Sequence, residues 1–284
     1  MSLAFVALFV SCNKNNSEFD EDVLRNVINA KWEILDDNSL YVSFEFNKDG
    51  NYIVVENDSR TGVKSNLNSG FKGFVLKSHF ENTKQHSPQF EPKPSPIRFG
   101  NYEINGNIIT LSGLGVIKVT NITNENFTFS FTPESTKKRN NFVAGRAEEL
   151  IISTSNKTDM LCRTWVVDKI AIDVDFLSEE DINVYKVGYG EDWKNELEKI
   201  YNSDLEHEVV ILFSKTGTYL TSRFYENELL SWKWADKEET KINLYWENEI
   251  DDWVGNALPI NELNSTTLVL QGYEIIYYLS LKNK

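Results

Sequence analysis

Cysteine and histidine, which supply much of the nucleophilic and metal-binding chemistry of proteins, are scarce here: the 284 residues include two cysteines and three histidines. The count is compatible with one disulfide between Cys12 and Cys162, but the residues before Cys12 favour another role for it. Cys162 stands in the segment M-L-C-R-T-W, among residues expected to be buried, and is interpreted as a small core residue. A lone cysteine with no histidine nearby is a poor candidate for a nucleophile.

Motifs of familiar catalytic and phosphate-binding chemistry are also absent. The sequence contains no H-E-x-x-H, no closely spaced cysteine pair, no G-x-S-x-G and no glycine-rich loop between a strand and a helix. If residues 206–208 form a strand, Glu206 and Glu208 face away from His207 and cannot easily share a metal ion with it. We therefore expect no catalytic residues, no cofactor and no metal site.

One acidic cluster leaves an enzyme open as an alternative. Glu249, Asp251 and Asp252 lie close to Trp246 and Trp253, and carboxylates beside aromatic rings occur in carbohydrate-acting sites. An exposed acidic loop explains the same residues equally well, because the sequence does not give the separation between two carboxyl groups.

Positive charge is in deficit. The formal net charge is −14 and the isoelectric point is about 4.8. Binding to nucleic acid and electrostatic adhesion to anionic lipid both require basic patches. We therefore expect no nucleic-acid partner and interpret the acidic surface mainly as a source of solubility.

The N-terminal apolar run, residues 1–11, is too short for a membrane-spanning helix, which needs roughly 20 residues. Its length suits the apolar part of a signal peptide. The junction F-V-S-C at Cys12 resembles the lipobox of bacterial lipoproteins, in which the cysteine is acylated. The alternative, a buried first strand, is disfavoured by the polar residues 13–18. We expect a signal segment at 1–12, a tether at 13–21, and a lipid-anchored protein of the cell envelope, in the outer membrane.

An internal repeat sets the architecture. Residues 46–52 and 213–219 both read F-x-K-x-G-x-Y, which predicts a β-hairpin whose glycine takes a positive φ. A tryptophan, Trp32 or Trp165, precedes each hairpin and follows a short segment that we interpret as helical. Because the same order of segments occurs twice, the chain is a duplication. The remaining matched segments are 100–111 with 232–244 and 122–129 with 263–270.

Alternation of apolar and polar residues predicts strands with one buried face. Leu40, Val42, Phe44 and Phe46 are expected to share a face, with Tyr41, Ser43 and Glu45 opposite. Consecutive hairpins without long crossover helices indicate an antiparallel meander that closes into a barrel of about eight strands.

These features together resemble the lipocalin-like domains common in lipoproteins of Bacteroidetes, with Tyr102 where that family prefers tryptophan. The resemblance implies an all-β protein with short helices, built from two tandem antiparallel lipocalin-like (calycin-type) β-barrels. We place the first barrel at 22–135, a linker at 136–158 and the second barrel at 159–284. Residues 142–152 are compatible with a short helix or with a final strand.

Each half carries an insertion. Residues 59–98 are rich in proline and glycine and predict a long loop over one barrel mouth. In the second half, Ser178 and Asp181 form a near capping box for a helix start. A further helix is expected to pack over the barrel through one apolar face. That face consists of Trp193, Leu197, Ile200 and Tyr201.

Two functional hypotheses follow. The first is a non-catalytic, monomeric lipoprotein that binds a small apolar ligand, a glycan or an envelope partner, with the membrane as partner through its lipid. The second is a structural envelope protein with filled barrels, or an enzyme without a recognisable motif. The candidate ligand-binding residues are Trp232, Trp234, Tyr245 and Trp246. These aromatic residues can equally belong to core packing.

Overall fold

The computed structural model describes residues 21–57, 96–148, 153–223, 226–245, 257–272 and 274–282. These residues form two closed, eight-stranded antiparallel barrels in tandem, which confirms the predicted all-β fold. The predictions for Cys12, for residues 59–95, for Trp246 and for the acidic cluster at 249–252 lie outside the described residues.

The first barrel is a meander in which each strand pairs with the next and the eighth pairs with the first. One short helix precedes it. The elements are α1 (Glu21–Val27), β1 (Lys31–Ile34), β2 (Tyr41–Phe46), β3 (Asn51–Glu56), β4 (Ile97–Asn105), β5 (Ile108–Leu111), β6 (Gly115–Ile122), β7 (Asn126–Pro133) and β8 (Asn140–Arg146).

The second barrel repeats this order and adds helices between its first two strands. Two 3₁₀ turns, Val174–Phe176 and Asp204–Glu206, flank these helices. The elements are α2 (Asn156–Leu161), β9 (Thr164–Ile172), α3 (Glu179–Tyr189), α4 (Trp193–Ser203), β10 (Val209–Phe213), β11 (Thr218–Arg223), β12 (Glu226–Trp234), β13 (Lys241–Tyr245), β14 (Leu258–Leu263), β15 (Thr267–Gly272) and β16 (Ile275–Leu281).

The boundary between the barrels differs from the expected one. The predicted linker, 136–158, contains β8, and the first barrel therefore extends to Arg146, which pairs with Trp32 of β1. Of the residues in β8, Ala144 alone is fully buried, so the strand carries a weak apolar signal. Its place is fixed by hydrogen bonding to β1 and β7, because an open barrel would leave both edges unpaired.

A β-bulge changes the expected face of β2. Tyr41 pairs with Glu56 and Ser43 pairs with Val55, so Val42 is the extra residue. The bulge turns Tyr41 into the barrel, where its ring lies 5.3 Å from that of Phe131. Leu40 and Val42, which were expected inside with Phe44 and Phe46, are exposed.

Large aromatic side chains fill the first barrel. Phe127 and Phe129 stack with ring centroids 4.3 Å apart, and Phe44 meets Phe129 edge to face at 5.3 Å. Burial of an aromatic side chain removes a large apolar surface from water, and such ring pairs add to that stabilisation. The fully buried aromatic side chains here include Trp32, Phe44, Phe46, Phe127, Phe129 and Phe131.

Helix α4 covers part of the second barrel. Its apolar face, with Trp193, Leu197 and Tyr201 buried, packs on the barrel core as predicted. The helix also satisfies backbone groups of β9 that lie beyond its pairing with β10. The Asn202 side chain accepts from the N–H of Ile170 and donates to its C=O, each at 2.8 Å. The predicted capping box of Ser178 and Asp181 begins α3.

Candidate binding cleft between the barrels

The two F-x-K-x-G-x-Y hairpins have the same geometry. Gly50 and Gly217 both have φ of 86°, the left-handed region that glycine adopts without strain. Each hairpin is also held by a residue of the fourth strand of its own barrel. The backbone N–H of Tyr102 donates to Gly50 C=O at 2.8 Å, and that of Trp232 donates to Gly217 C=O at 2.7 Å.

Tyr102 and Trp232 are therefore equivalent, although one is a phenol and the other an indole. The Tyr102 hydroxyl donates to Asn47 C=O at 3.1 Å, and Trp232 Nε1 donates to Ser214 C=O at 2.9 Å. Asn47 and Ser214 occupy the same position of the repeat. Hence Trp234 has Ile104 as its counterpart, whereas the sequence match of 100–111 with 232–244 had set Trp234 against Tyr102 and was wrong by two positions.

The outer faces of the two hairpin sheets pack against each other. Glu45, which is 2% exposed, points away from its own barrel, and its two carboxylate oxygens accept hydrogen bonds from Thr216 and Thr218 hydroxyls, each at 2.7 Å. Buried carboxylates require such partners. An apolar cluster continues the interface. It comprises Ile53, Ile97, Phe99, Leu212, Leu220 and Leu229.

A second polar contact joins the barrels at the side of this interface. The Thr164 hydroxyl donates to Asp49 Oδ2 at 2.5 Å and accepts from Asn51 Nδ2 at 2.8 Å. Asn51 and Thr164 are both buried. The β2–β3 hairpin of the first barrel is thereby fixed against the start of β9.

A cleft of about 530 Å³ opens beside this contact, and both barrels line it. We refer to it as the inter-barrel cleft. Residues of both repeated hairpins and residues at the two ends of the second barrel's chain contribute. The lining residues are Lys48, Asp49, Asn51, Asn101, Asp159, Cys162, Arg163, Thr164, Lys215, Leu281 and Lys282.

Within the described part of the chain, four cationic side chains from four chain segments line the inter-barrel cleft. Lys48 and Lys215 are the equivalent lysines of the two repeated motifs. Arg163 precedes β9 and donates to Ser265 C=O at 2.8 Å, and Lys282 follows β16 and pairs with Glu208 at 2.5 Å. The repeated motif was predictable from the sequence, but this convergence was not, because it depends on how the two barrels pack together.

Two side chains of the inter-barrel cleft, those of Asp159 and Cys162, have shifted pKa values. Lys215, hydrogen-bonded to Asp159, holds the pKa of that carboxyl below its usual range. Burial raises the pKa of the Cys162 thiol to about 12. The thiol is therefore protonated near neutral pH, and a protonated thiol is a weak nucleophile.

The aromatic residues predicted to bind ligand do not form one site in the described part of the chain. Trp232 is fully buried inside the second barrel, and Trp234 meets it edge to face at 5.6 Å and donates to Thr158 Oγ1 at 2.8 Å. Tyr245 is buried on the other face of its sheet, since Leu244 before it points into the core. There Lys233 Nζ lies 4.5 Å from the Tyr245 ring centroid.

In the parts of the chain that the structure describes, no helix is both long and apolar enough to cross a membrane. Among the same residues, no three histidine, cysteine, aspartate or glutamate side chains lie close enough together to hold a metal ion.

No protein-family model and no curated protein matches the chain. Among solved structures, it is similar to a DUF4847 family protein from Bacteroides vulgatus, with 12% sequence identity and a TM-score of 0.27. The match covers 46% of this chain and 99% of that one. A likeness at this level carries no inference about function.

Proposed function

We propose that this chain is a non-catalytic, monomeric binding protein of the cell envelope, anchored in the outer membrane by lipid on Cys12, and that its ligand binds in the inter-barrel cleft. The observation that carries the proposal is the cleft: it measures about 530 Å³, and both barrels contribute to its walls. Ligand pockets in proteins commonly measure about 300–1,000 Å³.

The barrel interiors favour a scaffold role. Phe44, Phe127 and Phe129 occupy the described interior of the first barrel, and Trp232 and Tyr277 are buried in the second. An eight-stranded barrel can be filled by its own side chains or can hold one small ligand. We therefore assign ligand binding to the junction between the barrels rather than to an apolar barrel interior.

The chemistry of the inter-barrel cleft supports binding rather than catalysis. Cys162, with a pKa of about 12, is not activated as a nucleophile. Asp49 accepts a hydrogen bond from Thr164, and Asp159 is paired with Lys215. A general base needs a pKa near the operating pH, whereas Lys215 holds the pKa of Asp159 below the usual carboxyl range.

The anchor rests on the apolar run 1–11 and on Cys12. Several acyl chains, at about 0.8 kcal/mol per buried methylene, would hold the protein on a membrane more firmly than one chain can. The acidic surface, with a net charge of −14, would add no electrostatic attraction to anionic lipid.

Native mass spectrometry tests both the lipid anchor and ligand binding in the cleft. The full chain is purified in detergent from a bacterial host that processes lipoproteins. We expect the covalent mass to show acyl groups on Cys12 that Cys12→Ser lacks. We also expect a non-covalent small-molecule mass that Asn101→Trp removes, because Asn101 is an exposed residue of the cleft wall and the indole would fill the space.

Asn124→Trp is the matched control, because Asn124 is exposed in the β6–β7 turn, outside the lining residues. It should retain the bound mass. A clean unbound mass for the unsubstituted protein, or equal occupancy in both tryptophan variants, would overturn binding in the cleft and favour a structural role with filled barrels. An unmodified Cys12 would overturn the anchor.

A further inference from the structure

The charge of the inter-barrel cleft is opposite to that of the whole protein. Among the residues that the structure describes, its lining includes the cations Lys48, Arg163, Lys215 and Lys282 and the carboxylates of Asp49 and Asp159. The cations still outnumber the carboxylates when Glu208, the partner of Lys282, is counted. The complete chain carries a net charge of −14. Because a concave site concentrates the field of its charges, a local excess of cations attracts anions even on an acidic protein.

Resting on the proposed function, we infer that the ligand of the inter-barrel cleft is a small organic anion that carries a phosphate or carboxylate group. Lys48 and Lys215 are its main binding residues. They occupy the same position of the repeated F-x-K-x-G-x-Y hairpin, and the packing of the barrels brings both to one cleft. The duplication thus supplies two cations from two rigid turns.

Both lysines are available to a ligand. Lys48 is exposed and forms no ion pair within the residues that the structure describes. Lys215 pairs with Asp159, but both side chains are about half exposed, at 43% and 54%. Exposed ion pairs contribute only about 0–1 kcal/mol, so an incoming anion can replace Asp159 at small cost.

The second carboxylate of the inter-barrel cleft has partners of its own. Asp49 Oδ2 accepts from the Thr164 hydroxyl at 2.5 Å, and its Oδ1 lies 3.4 Å from the backbone N–H of Asn51. Its charge is thereby directed toward the contact between the barrels. Asp49 therefore competes only weakly with a bound anion for Lys48 and Lys215.

An apolar wall favours an organic anion over an inorganic one. Leu281 and half-buried Cys162 line the same cleft as the cations. Ligand sites typically combine apolar walls with a few charged groups that fix orientation. A carbon skeleton would cover this wall while its anionic group contacts Lys48 and Lys215.

Isothermal titration calorimetry with phenyl phosphate, phenylacetate and the neutral benzyl alcohol tests this inference on the full chain in detergent. We expect both anions to bind more tightly than benzyl alcohol and to weaken as sodium chloride is added. The stronger of the two identifies phosphate or carboxylate as the preferred group. Inorganic phosphate should bind more weakly than phenyl phosphate because it cannot cover the apolar wall.

The double variant Lys48→Gln/Lys215→Gln should weaken anion binding by about tenfold or more, which corresponds to about 1.4 kcal/mol. Its matched control is Lys118→Gln/Lys138→Gln, which removes the same charge from exposed residues outside the cleft. Asp159→Asn should strengthen binding severalfold, because it frees Lys215 and removes a negative charge. A gain of affinity cannot arise from misfolding.

Two results would overturn the inference. The first is equal affinity for benzyl alcohol and the anions. The second is an equal effect of the two double-lysine variants. If Asn101→Trp nevertheless removes the bound mass seen in native spectra, binding in the cleft stands and only the anionic nature of the ligand fails. If no probe binds and no bound mass is found, the proposed function fails as well.

Discussion

The two barrels share their strand order and hairpin geometry but differ in what covers them. In the first barrel, the seven-residue α1 contributes Leu24 to the core. In the second, α3 and α4 lie between the first two strands, and α4 buries Trp193 and Tyr201 against the barrel. The connections between strands therefore accept large insertions, whereas the hairpin and the backbone hydrogen bond that holds it are kept in both barrels.

The outer face of each hairpin sheet also forms the contact between the two barrels. Ile53 and Leu220 are equivalent, and both belong to the apolar interface cluster. The contact therefore resembles an isologous interface, in which the same patch is used on both sides. It departs from symmetry at more than one position: the first barrel has Glu45 where the second has Leu212, and Ile97 where the second has Asn227.

The largest loss of stability should follow substitution of the tryptophan that both barrels have at the start of their first strand. Trp32 and Trp165 are fully buried, and each Nε1 donates at 3.0 Å to the carbonyl four residues earlier. Trp32→Ala and Trp165→Ala should each lower the free energy of unfolding of the affected barrel by about 3–5 kcal/mol, because a large cavity replaces the indole. Urea unfolding followed by circular dichroism measures it.

Phenylalanine substitutions at the same two positions are the controls, since they keep most of the ring and lose the N–H donor. They should cost clearly less than alanine. If one alanine variant lost under about 1 kcal/mol while the other lost several, the two barrels would not use this tryptophan alike.

A smaller loss of stability should follow substitution of Glu45, one of the asymmetric positions of the interface. Glu45→Ala leaves the hydroxyls of Thr216 and Thr218 without their carboxylate acceptor. A buried polar group that loses its partner costs about 1–3 kcal/mol. We expect a loss of that size in the urea unfolding of the full chain.

Glu33→Ala is the control for this prediction. Glu33 lies on the neighbouring strand β1 but is exposed, so its loss should change stability by less than about 0.5 kcal/mol. Equal effects of the two substitutions would show that the contact between Glu45 and the threonines does not stabilise the interface.

Local patterns were enough to predict the fold but not the site. The repeated hairpin and the alternation of apolar residues gave the tandem barrels, because both signals act within a few residues. The bulge at Val42 was missed, and residues 142–152 were left undecided between a helix and a strand, because both depend on hydrogen bonds to other strands.

The inter-barrel cleft could not be derived for the same reason. Lys48 and Lys215 are 167 positions apart, and the repeated motif itself does not predict that the two hairpin faces pack together. Glu45 was one available signal: a carboxylate in a strand of otherwise apolar and small residues can indicate a second buried surface. Its meaning becomes clear only with Thr216 and Thr218 beside it.

The smallest change in stability should come from the hydrogen bonds of the equivalent residues Tyr102 and Trp232. The change at Tyr102 should depend on pH. Burial, followed by the negative charge of Asp49, raises the pKa of Tyr102 to about 12. Because the folded pKa exceeds the unfolded value of about 10, the contribution of Tyr102 is complete below about pH 10 and is lost as the pH rises through about 12.

Tyr102→Phe should therefore cost about 1 kcal/mol at neutral pH, through the lost bond to Asn47 C=O, and flatten the fall in stability between about pH 10 and 12. Trp232→Phe also removes a donor but should leave that slope unchanged, because an indole does not ionise in this range. Urea unfolding of both variants at several alkaline pH values measures the difference. The same slope in both would mean that Tyr102 ionises as freely in the folded barrel as in the unfolded chain.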